Sequence, residues 1–376
     1  MKDLNHDKKA RLIAYYLPQF HPIPENDIWW GKGFTEWTNV ASAKPLFPRH
    51  YQPHIPADLG FYDLRLSEAR IAQAEMAQTY GIEGFCYYHY WFSGRQVLEQ
   101  PFHEVLRSGE PKFPFCICWA NENWTGIWSG NDRQILLAQT YPGYQDEVSH
   151  FQVLLDAFID DRYITIDDRP VFMIYQPDNL PDPRKWTDTW RELAHRAGLK
   201  GLYLVAYANY PWPFREMGFD ASTPKIIGTI RLYDPLWLRR LKIAVRLTLG
   251  MPRWIYSYGK IARNPRSIFP ECVYSDVFPC VLPNWDNTPR RGKRGIVFHG
   301  STPELFGLHF RRTIEQVLPK PKEYRIIFVK SWNEWAEGNH LEPDLRFGRG
   351  YLDTIRSEIT SHSLVDNSIV INSSQF

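Results

Sequence analysis

Short runs of apolar, β-branched and aromatic residues recur along the chain, and most of them end in polar or aromatic residues. Continuous apolar runs of this kind are typical of strands buried on both faces of a parallel sheet. We identify eight candidate strands, the sixth of them weak, at residues 12–20, 84–92, 113–121, 171–177, 202–209, 219–226, 278–287 and 324–335.

Segments with helical spacing of apolar residues lie between several of these runs. They cover residues 63–80, 147–160, 185–197 and 306–318. Strands that alternate with helices indicate a parallel sheet, and eight such units favour a single closed (β/α)8 TIM-type barrel over an open doubly wound sheet. We therefore predict a barrel over residues 11–360, an N-terminal extension at 1–10 and a polar C-terminal tail at 361–376.

Three connections are longer than a minimal barrel requires. Long loops follow the first strand (21–62) and the third strand (122–146), and an insertion at 227–277 separates the sixth and seventh strands. The insertion carries nine Lys or Arg residues, and its residues 236–249 have the pattern of a basic amphipathic helix. This pattern is typical of an ordinary solvated helix face, and peripheral contact with an anionic membrane surface or polymer is the alternative.

Charge and cysteine content restrict the classes of partner. The 376 residues include 44 Lys and Arg against 42 Asp and Glu, a balance that argues against nucleic-acid binding. The N-terminus makes a poor signal peptide, and no apolar run is long enough to span a membrane. Five cysteines without metal-ligand spacing are expected as buried free thiols, with a metal site as the alternative. We predict a cytoplasmic protein without a cofactor or metal.

Aromatic residues make up 15% of the chain and include 15 Trp. Many of these Trp residues fall in or just after predicted strands, and active sites of parallel barrels lie at the C-terminal ends of the strands. Flat apolar rings cover the C–H faces of sugars, so we expect a glycan-binding cleft there. The predicted substrate-binding residues are Gln19, His21, His89, Tyr90, Trp91, Asn121, Glu122, Trp124, Tyr207, Trp285, Asp286, Asn333 and Trp335.

The eighth strand ends in the segment SWNEWAEGNH, which places Glu334 and Glu337 around a short turn. Cleavage of a glycosidic bond needs one group to protonate the leaving oxygen and another to act as base or nucleophile. Two glutamates in different environments can differ in pKa enough to take these roles. Two surface glutamates in a loop are the alternative, which the dense Trp and Asn surroundings disfavour. We predict Glu334 and Glu337 as the catalytic residues.

Five separated motifs together resemble one protein family: YYLPQFHPIPENDIWWGKGFTEWTNV, GFCYYHYWF, WANENW, NWDNTPR and SWNEWAEG. They are similar to WbsX-type proteins, which are catalogued as glycosyltransferases or as glycoside hydrolase family 99-like proteins. The match extends from about Arg11 to Tyr351. The resemblance implies a (β/α)8 barrel that acts in bacterial surface polysaccharide, lipopolysaccharide or O-antigen metabolism, on a glycan or a lipid-linked oligosaccharide.

A more distant resemblance to family 99 endo-mannosidases implies roles for the two glutamates. Those enzymes retain anomeric configuration through attack by the substrate's own 2-hydroxyl, with one glutamate as base and a second, three residues later, as acid. Glu334 would then be the base and Glu337 the acid. Ala336 stands where the mannosidases typically have His, and Asn339 follows Gly338. These departures bear on the substrate and on the preference for hydrolysis over transfer.

Three functions follow from these observations. Cleavage or transfer of a glycosidic bond by the paired glutamates is favoured. A nucleotide-sugar-dependent glycosyltransferase is the first alternative, although the chain contains neither a D-x-D motif nor a common phosphate-binding glycine motif. A non-catalytic glycan-binding barrel is the second alternative, and it would have no need of a paired acid and base.

Overall fold

Eight parallel strands form the centre of the molecule in a computed structural model that describes residues 8–126, 131–209, 211–225, 236–263 and 276–360. Each of the eight predicted runs contains a strand. The strand in the run at 278–287 has two residues, and each of the others has at least four. The strands are β1 (Arg11–Tyr16), β2 (Gly84–Phe92), β3 (Phe115–Trp119), β4 (Arg169–Ile174), β5 (Tyr203–Ala208), β6 (Ala221–Pro224), β7 (Cys280–Val281) and β8 (Ile326–Val329).

The strand order shows that the sheet curls into a barrel. Neighbours run β6-β5-β4-β3-β2-β1-β8-β7, and every adjacent pair is parallel. Between β6 and β7 the contact is a single parallel bridge from Ser222 to Val277. There the Ser222 N–H donates to Asp276 O at 2.9 Å, and the Phe278 N–H donates to Ser222 O at 2.8 Å. The predicted (β/α)8 barrel is confirmed.

Helices surround the strands and fill the connections. They are α1 (Pro24–Trp30), α2 (Glu36–Ser42), α3 (Ser67–Thr79), α4 (Gln100–Ser108), α5 (Tyr144–Phe158), α6 (Pro183–Arg196), α7 (Leu236–Thr248), α8 (Tyr258–Arg263), α9 (Thr288–Arg291), α10 (Pro303–Val317) and α11 (Gly350–Thr360). The four predicted inter-strand helices correspond to α3, α5, α6 and α10. Side-chain caps start two of them, since Asp182 accepts from the Lys185 N–H and Thr302 accepts from the Leu305 N–H.

The described part of the insertion packs onto the barrel instead of standing apart from it. Helix α7 confirms the predicted helix, and the following strand Trp254–Ser257 pairs in parallel with Ile296–His299, outside the barrel sheet. Tyr258 of α8 is fully buried, and its hydroxyl donates to Leu282 O at 2.8 Å. The rest of the insertion lies outside the described residues, as do residues 1–7 of the predicted extension and the predicted tail at 361–376.

Two further expectations concern cysteines and membrane spans. Cys86, Cys116, Cys118 and Cys280 are buried and free, whereas Cys272 lies outside the described residues. Among the described helices, none has the length and apolar character needed to cross a membrane.

Candidate active site

A cavity of about 310 Å³ opens at the C-terminal ends of the barrel strands, where parallel barrels carry their active sites. Its wall combines side chains from the loops after β1, β3, β7 and β8 with residues of β2. Six of the predicted site residues line this cavity, which we call the cleft: Gln19, Tyr90, Glu122, Trp124, Glu334 and Glu337.

Glu334 and Glu337 sit on a tight hairpin that follows β8. Strand Asn333–Glu334 pairs antiparallel with Asn339–His340, and the turn between them is a single 3-10 turn. Gly338 closes the turn at a φ of 56°, and a Cβ on it would come within 2.9 Å of the Asp286 Cβ. Backbone conformation and close contact therefore both require glycine at this position.

Arg290 of α9 joins the two glutamates. One guanidinium nitrogen of Arg290 lies 3.0 Å from a carboxylate oxygen of Glu334, and another lies 2.8 Å from Glu337. The same group contacts Glu36 at 3.0 Å, the first residue of α2 and fully buried. Because a guanidinium presents several donors in a fixed plane, it holds the three carboxylates in a defined arrangement that we call the Arg290 cluster.

The environment of Glu334 changes its proton affinity. Burial raises the pKa of Glu334 to about 7; the charge of Arg290 opposes this rise and the charge of Glu337 adds to it. The Glu334 side chain is 7% exposed and that of Glu337 is 16% exposed. Glu334 therefore exchanges a proton near neutral pH, which is what a general acid or base requires.

Glu122 provides a further carboxylate in the lining of the cleft. It accepts a hydrogen bond from the Gln176 side-chain amide at 3.1 Å, and burial raises its pKa. Asn121, the residue before it, does not line the cleft. Its side-chain Nδ2 instead donates to Gln176 O at 2.8 Å and its side-chain Oδ1 accepts from the Gln176 N–H at 2.7 Å, so Asn121 ties the loops after β3 and β4 together.

An aromatic wall closes one side of the cleft. Trp124 lies edge-on to Trp29 of α1 at 5.8 Å and to Tyr90 at 5.1 Å between ring centroids. Trp29 and Trp30, both from the predicted long loop after β1, also line the cleft. Aromatic rings thus border the space near the paired carboxylates, as the sequence predicted for a sugar-binding site.

His89 and Trp91 face away from the cleft. Their side chains lie on the outer surface of β2, where His89 Nε2 is 2.9 Å from His150 Nε2 and Trp91 stacks on the His150 ring at 4.8 Å. Burial lowers the pKa of His89 to about 3, so the histidine is neutral. Alternate residues of a strand point to opposite faces, which is why Tyr88 and Tyr90 reach the cleft and these two residues do not.

Trp335, Trp285 and Tyr207 are buried behind or beneath the cleft surface. The Trp335 ring stacks on His340 at 3.7 Å, and its Nε1 donates to Glu342 Oε2 at 2.6 Å. Trp285 is 4% exposed, and Tyr207 stacks on Tyr175 at 4.9 Å. These three rings support the cleft from below and behind, whereas Trp124 borders the open space.

Two other predicted residues hold loops in place, and a third, His21, is buried elsewhere. Asn333 accepts from the Leu17 N–H at 2.7 Å and donates to Leu17 O at 3.0 Å, which joins the loops after β1 and β8. Asp286 accepts from His50 at 2.6 Å, among other donors; burial alone would raise its pKa, but these hydrogen bonds keep the pKa low. His21 is buried outside the cleft lining, and burial lowers its pKa.

One group of side chains has donor atoms close enough together to hold a metal ion among the residues that the structure describes. It consists of His54, His340 and Asp344, all buried. His54 Nδ1 and His340 Nε2 are 2.8 Å apart, which is a hydrogen-bond distance. Two nitrogens on a tetrahedral metal ion would lie about 3.3 Å apart, so this geometry favours a hydrogen-bonded pair.

Comparison with known proteins places the chain in a family. The profile described as glycosyltransferase WbsX matches residues 12–355. The chain belongs to the WbsX glycosyltransferase family. The protein named WxcX from Xanthomonas campestris pathovar campestris strain B100 is 37% identical over 356 residues, which are 93% of this chain and 50% of the relative. The chain thus spans about half the length of the curated relatives it matches.

Solved structures share the barrel of this WbsX family member. A glycoside hydrolase-like protein superposes with a TM-score of 0.57 at 16% identity, over 96% of both chains. The family 99 endo-α-mannosidase of Bacteroides thetaiotaomicron superposes with a TM-score of 0.55 at 15% identity, over 93% of this chain and 96% of the enzyme. At such low identity the similarity establishes the fold, in agreement with the family resemblance of the five motifs.

Sequence reasoning missed the charged residues that organise the cleft. Arg290 lies in the quoted motif NWDNTPR, but nothing in the local spacing indicates that it contacts Glu36, which is 254 positions away. Lys330 lines the cleft at the end of β8. Its position directly after an apolar run was the one sequence feature that could have indicated a site residue. Both contacts depend on which loops the closed barrel brings together.

The different positions of Trp124 and Trp335 lead to opposite expectations for their alanine variants. Trp335→Ala should lower the free energy of unfolding by about 3–5 kcal/mol, because it empties a fully buried site. Trp124→Ala should cost much less stability and should weaken glycan binding, because its ring borders the cleft. Urea unfolding and glycan binding measured on both variants test this. A stable Trp335→Ala variant that has lost glycan binding would contradict the assignment.

The raised pKa of Glu334 predicts how stability depends on pH. Between the ordinary value of 4.5 and about 7, folded Glu334 keeps a proton that the unfolded chain has lost. Stability should therefore fall as pH rises through this window, by at most about 1.4 kcal/mol per pH unit from this group. Between pH 5 and pH 7, the free energy of unfolding measured in urea should decrease less in Glu334→Gln than in wild type. The exposed control Glu75→Gln should match wild type. An equal decrease with pH in all three proteins would show that the pKa of Glu334 is not raised.

Proposed function

We propose that this WbsX family member cleaves or transfers a glycosidic bond, with Glu334 and Glu337 as the reacting carboxylates. The observation that carries the proposal is the pairing of these two groups on one guanidinium, in an aromatic-walled cleft at the functional end of the barrel. Structural glutamates of an ordinary loop would not share a buried cation and face a cavity. The family name and the likeness to glycoside hydrolase folds support the same reaction class.

The two carboxylates have distinct roles in this proposal. Ionised Glu334 takes the proton of a sugar 2-hydroxyl, whose oxygen attacks the anomeric carbon, while Glu337 protonates the departing glycosidic oxygen. Water or an acceptor hydroxyl then opens the resulting anhydrosugar, giving its proton to Glu337, and Glu334 returns its proton to the 2-oxygen. A pKa of about 7 suits Glu334 to this exchange. Glu337, the more exposed of the two, faces the cleft, where a leaving group can depart.

The acceptor decides between hydrolysis and transfer. We propose that the substrate is a glycan or lipid-linked oligosaccharide of bacterial surface polysaccharide or O-antigen metabolism, handled at the cytoplasmic side of the membrane. A nucleotide-sugar donor is the alternative, as the family name suggests. Calorimetric titration with nucleoside diphosphates discriminates between these two kinds of substrate. A nucleotide-sugar-dependent transferase should bind a nucleoside diphosphate with micromolar affinity.

Removal of the proton donor tests the catalytic assignment. Glu337→Gln keeps the size of the side chain but cannot donate a carboxyl proton, and we expect it to lower turnover by roughly 10²–10⁴-fold while glycan binding persists. The exposed control Glu75→Gln should keep full turnover. Release of reducing ends or transfer product from bacterial surface polysaccharide provides the readout. Full turnover by Glu337→Gln would show that this residue is not the acid, and binding without turnover in wild type would favour a glycan-binding barrel.

Helix α7 supports the proposed contact with the membrane. Trp237, Leu241 and Val245 recur every four residues on one side of the helix and are 68%, 55% and 50% exposed. Arg240 and Lys242 lie between them in the sequence, and the helix contains no acid. An exposed apolar stripe on a basic helix matches the interface of an anionic membrane, where each cation near the surface contributes about 1 kcal/mol.

Vesicle co-sedimentation tests this contact. Wild type should pellet with vesicles of phosphatidylglycerol and phosphatidylcholine more than with phosphatidylcholine alone, and added salt should weaken the effect. The double variant Trp237→Ala/Leu241→Ala should lose most of this binding. The matched control Val153→Ala/Ile159→Ala removes exposed apolar groups elsewhere and should bind normally. Equal pelleting on both kinds of vesicle, or none, would exclude an anionic-membrane role for α7.

A further inference from the structure

Lys330 occupies an unusual position at the deep end of the cleft. It directly follows β8, it lines the cavity, and the residue is only 3% exposed. Five aromatic rings surround its ammonium group at 5.4–6.0 Å from Nζ to the ring centroids: Tyr15, Tyr88, Tyr175, Tyr207 and Trp285. The apolar body of the lysine is thus enclosed, and its charged end reaches the floor of the cleft.

The ammonium of Lys330 has fewer polar partners than its charge requires. Of its three N–H donors, one reaches the Tyr88 hydroxyl at 3.3 Å. In the part of the chain that the structure describes, no carboxylate lies within 4.0 Å of Nζ. A buried charge without a paired charge is costly to maintain, so a counter-charge that arrives with a ligand would be strongly favoured.

The distribution of charge in the cleft defines where such a ligand binds. Three of the nearby acids, Glu36, Glu334 and Glu337, are engaged by Arg290. A fourth, Glu122, accepts from the Gln176 side-chain amide, and the charges of Lys330 and Lys225 favour its ionised form. On the other side, Lys225 adds a second cation, whose Nζ donates to Gln176 Oε1 at 2.5 Å and lies 5.8 Å from the Tyr207 ring. Lys330 and Lys225 thus share the stacked Tyr175–Tyr207 pair, and they place two ammonium groups beside it.

We propose that the cleft binds an acidic sugar, whose carboxylate is held by the ammonium of Lys330. The inference rests on the proposed glycan function and specifies its substrate class. A planar, singly charged carboxylate matches one ammonium with two N–H donors to spare, and two of the surrounding rings, Tyr88 and Tyr175, line the cleft where a pyranose would lie. A phosphate group would bring a second charge and a third acceptor oxygen, and so fits this end of the cleft less well.

Titration calorimetry with matched sugars tests the proposal on the full chain. The probes are D-glucuronate against D-glucose and D-galacturonate against D-galactose. Wild type should bind at least one acid about tenfold to a hundredfold more tightly than its neutral partner, as expected for a charged hydrogen bond. Equal binding of acid and neutral sugar, or no binding of any of the four at their highest soluble concentrations, would overturn the proposal. Tighter binding of glucose 6-phosphate than of glucuronate would overturn the carboxylate assignment.

Substitution of Lys330 separates recognition from a structural role. Lys330→Met keeps the aliphatic length without the charge, so the preference for the acid should disappear while affinity for the neutral sugar stays within about threefold. The melting temperature should change little, because the buried charge and its contacts with Tyr88 and the aromatic rings are lost together while the aliphatic packing is kept. Lys320→Met, which changes a buried lysine bonded to Val277 O outside the cleft lining, should retain the preference. An unchanged preference in Lys330→Met would refute the role.

The outcome is separable from that of the proposed reaction. Preference for the acidic sugar in wild type, together with full turnover by Glu337→Gln, would confirm the binding site and refute the catalytic assignment. Loss of turnover in Glu337→Gln, with no preference for acidic sugars, would support the reaction and refute this substrate class.

Discussion

The Arg290 cluster is the interaction on which the cleft depends. Arg290 follows β7, Glu36 begins α2 in the loop after β1, and Glu334 and Glu337 lie on the hairpin after β8. One buried guanidinium therefore fixes three loops at the mouth of the barrel. Without it, three carboxylates would face one another in a poorly solvated space, and leaving buried charges unpaired costs several kcal/mol. The same contact orients the reactive groups and favours the ionised form of Glu334 against the effect of burial.

The fold follows closely from local sequence patterns. Parallel strands buried on both faces appear in the sequence as continuous apolar runs, so even the weak sixth run contains a strand, β6. The closing contact of Ser222 with Val277 and the pairing of Trp254–Ser257 with Ile296–His299 could not be predicted, because both join segments far apart in the chain. Strand content is a local property, whereas closure depends on long-range pairing.

The sequence predicted where the site lies but only some of the residues that form it. The rule that function lies at strand ends correctly indicated the cleft, yet it does not state which way a side chain points. Alternation along β2 directs Tyr88 and Tyr90 inward and His89 and Trp91 outward. Lys330 was not predicted because a single lysine after a strand is common. The five rings around it come from five other strands or strand ends, those of β1, β2, β4, β5 and β7.

Burial and the charge of Arg290 together hold Glu334 at a pKa suited to proton exchange near neutral pH. Carbon-13 NMR of carboxyl-labelled glutamate measures this directly, with the Glu334 resonance identified by its absence in Glu334→Gln. We predict a titration midpoint near pH 7 in wild type. In Arg290→Met the midpoint should be higher, because the positive charge that favours the ionised form has been removed. A wild-type midpoint near 4.5, or one that Arg290→Met leaves unchanged, would contradict this account.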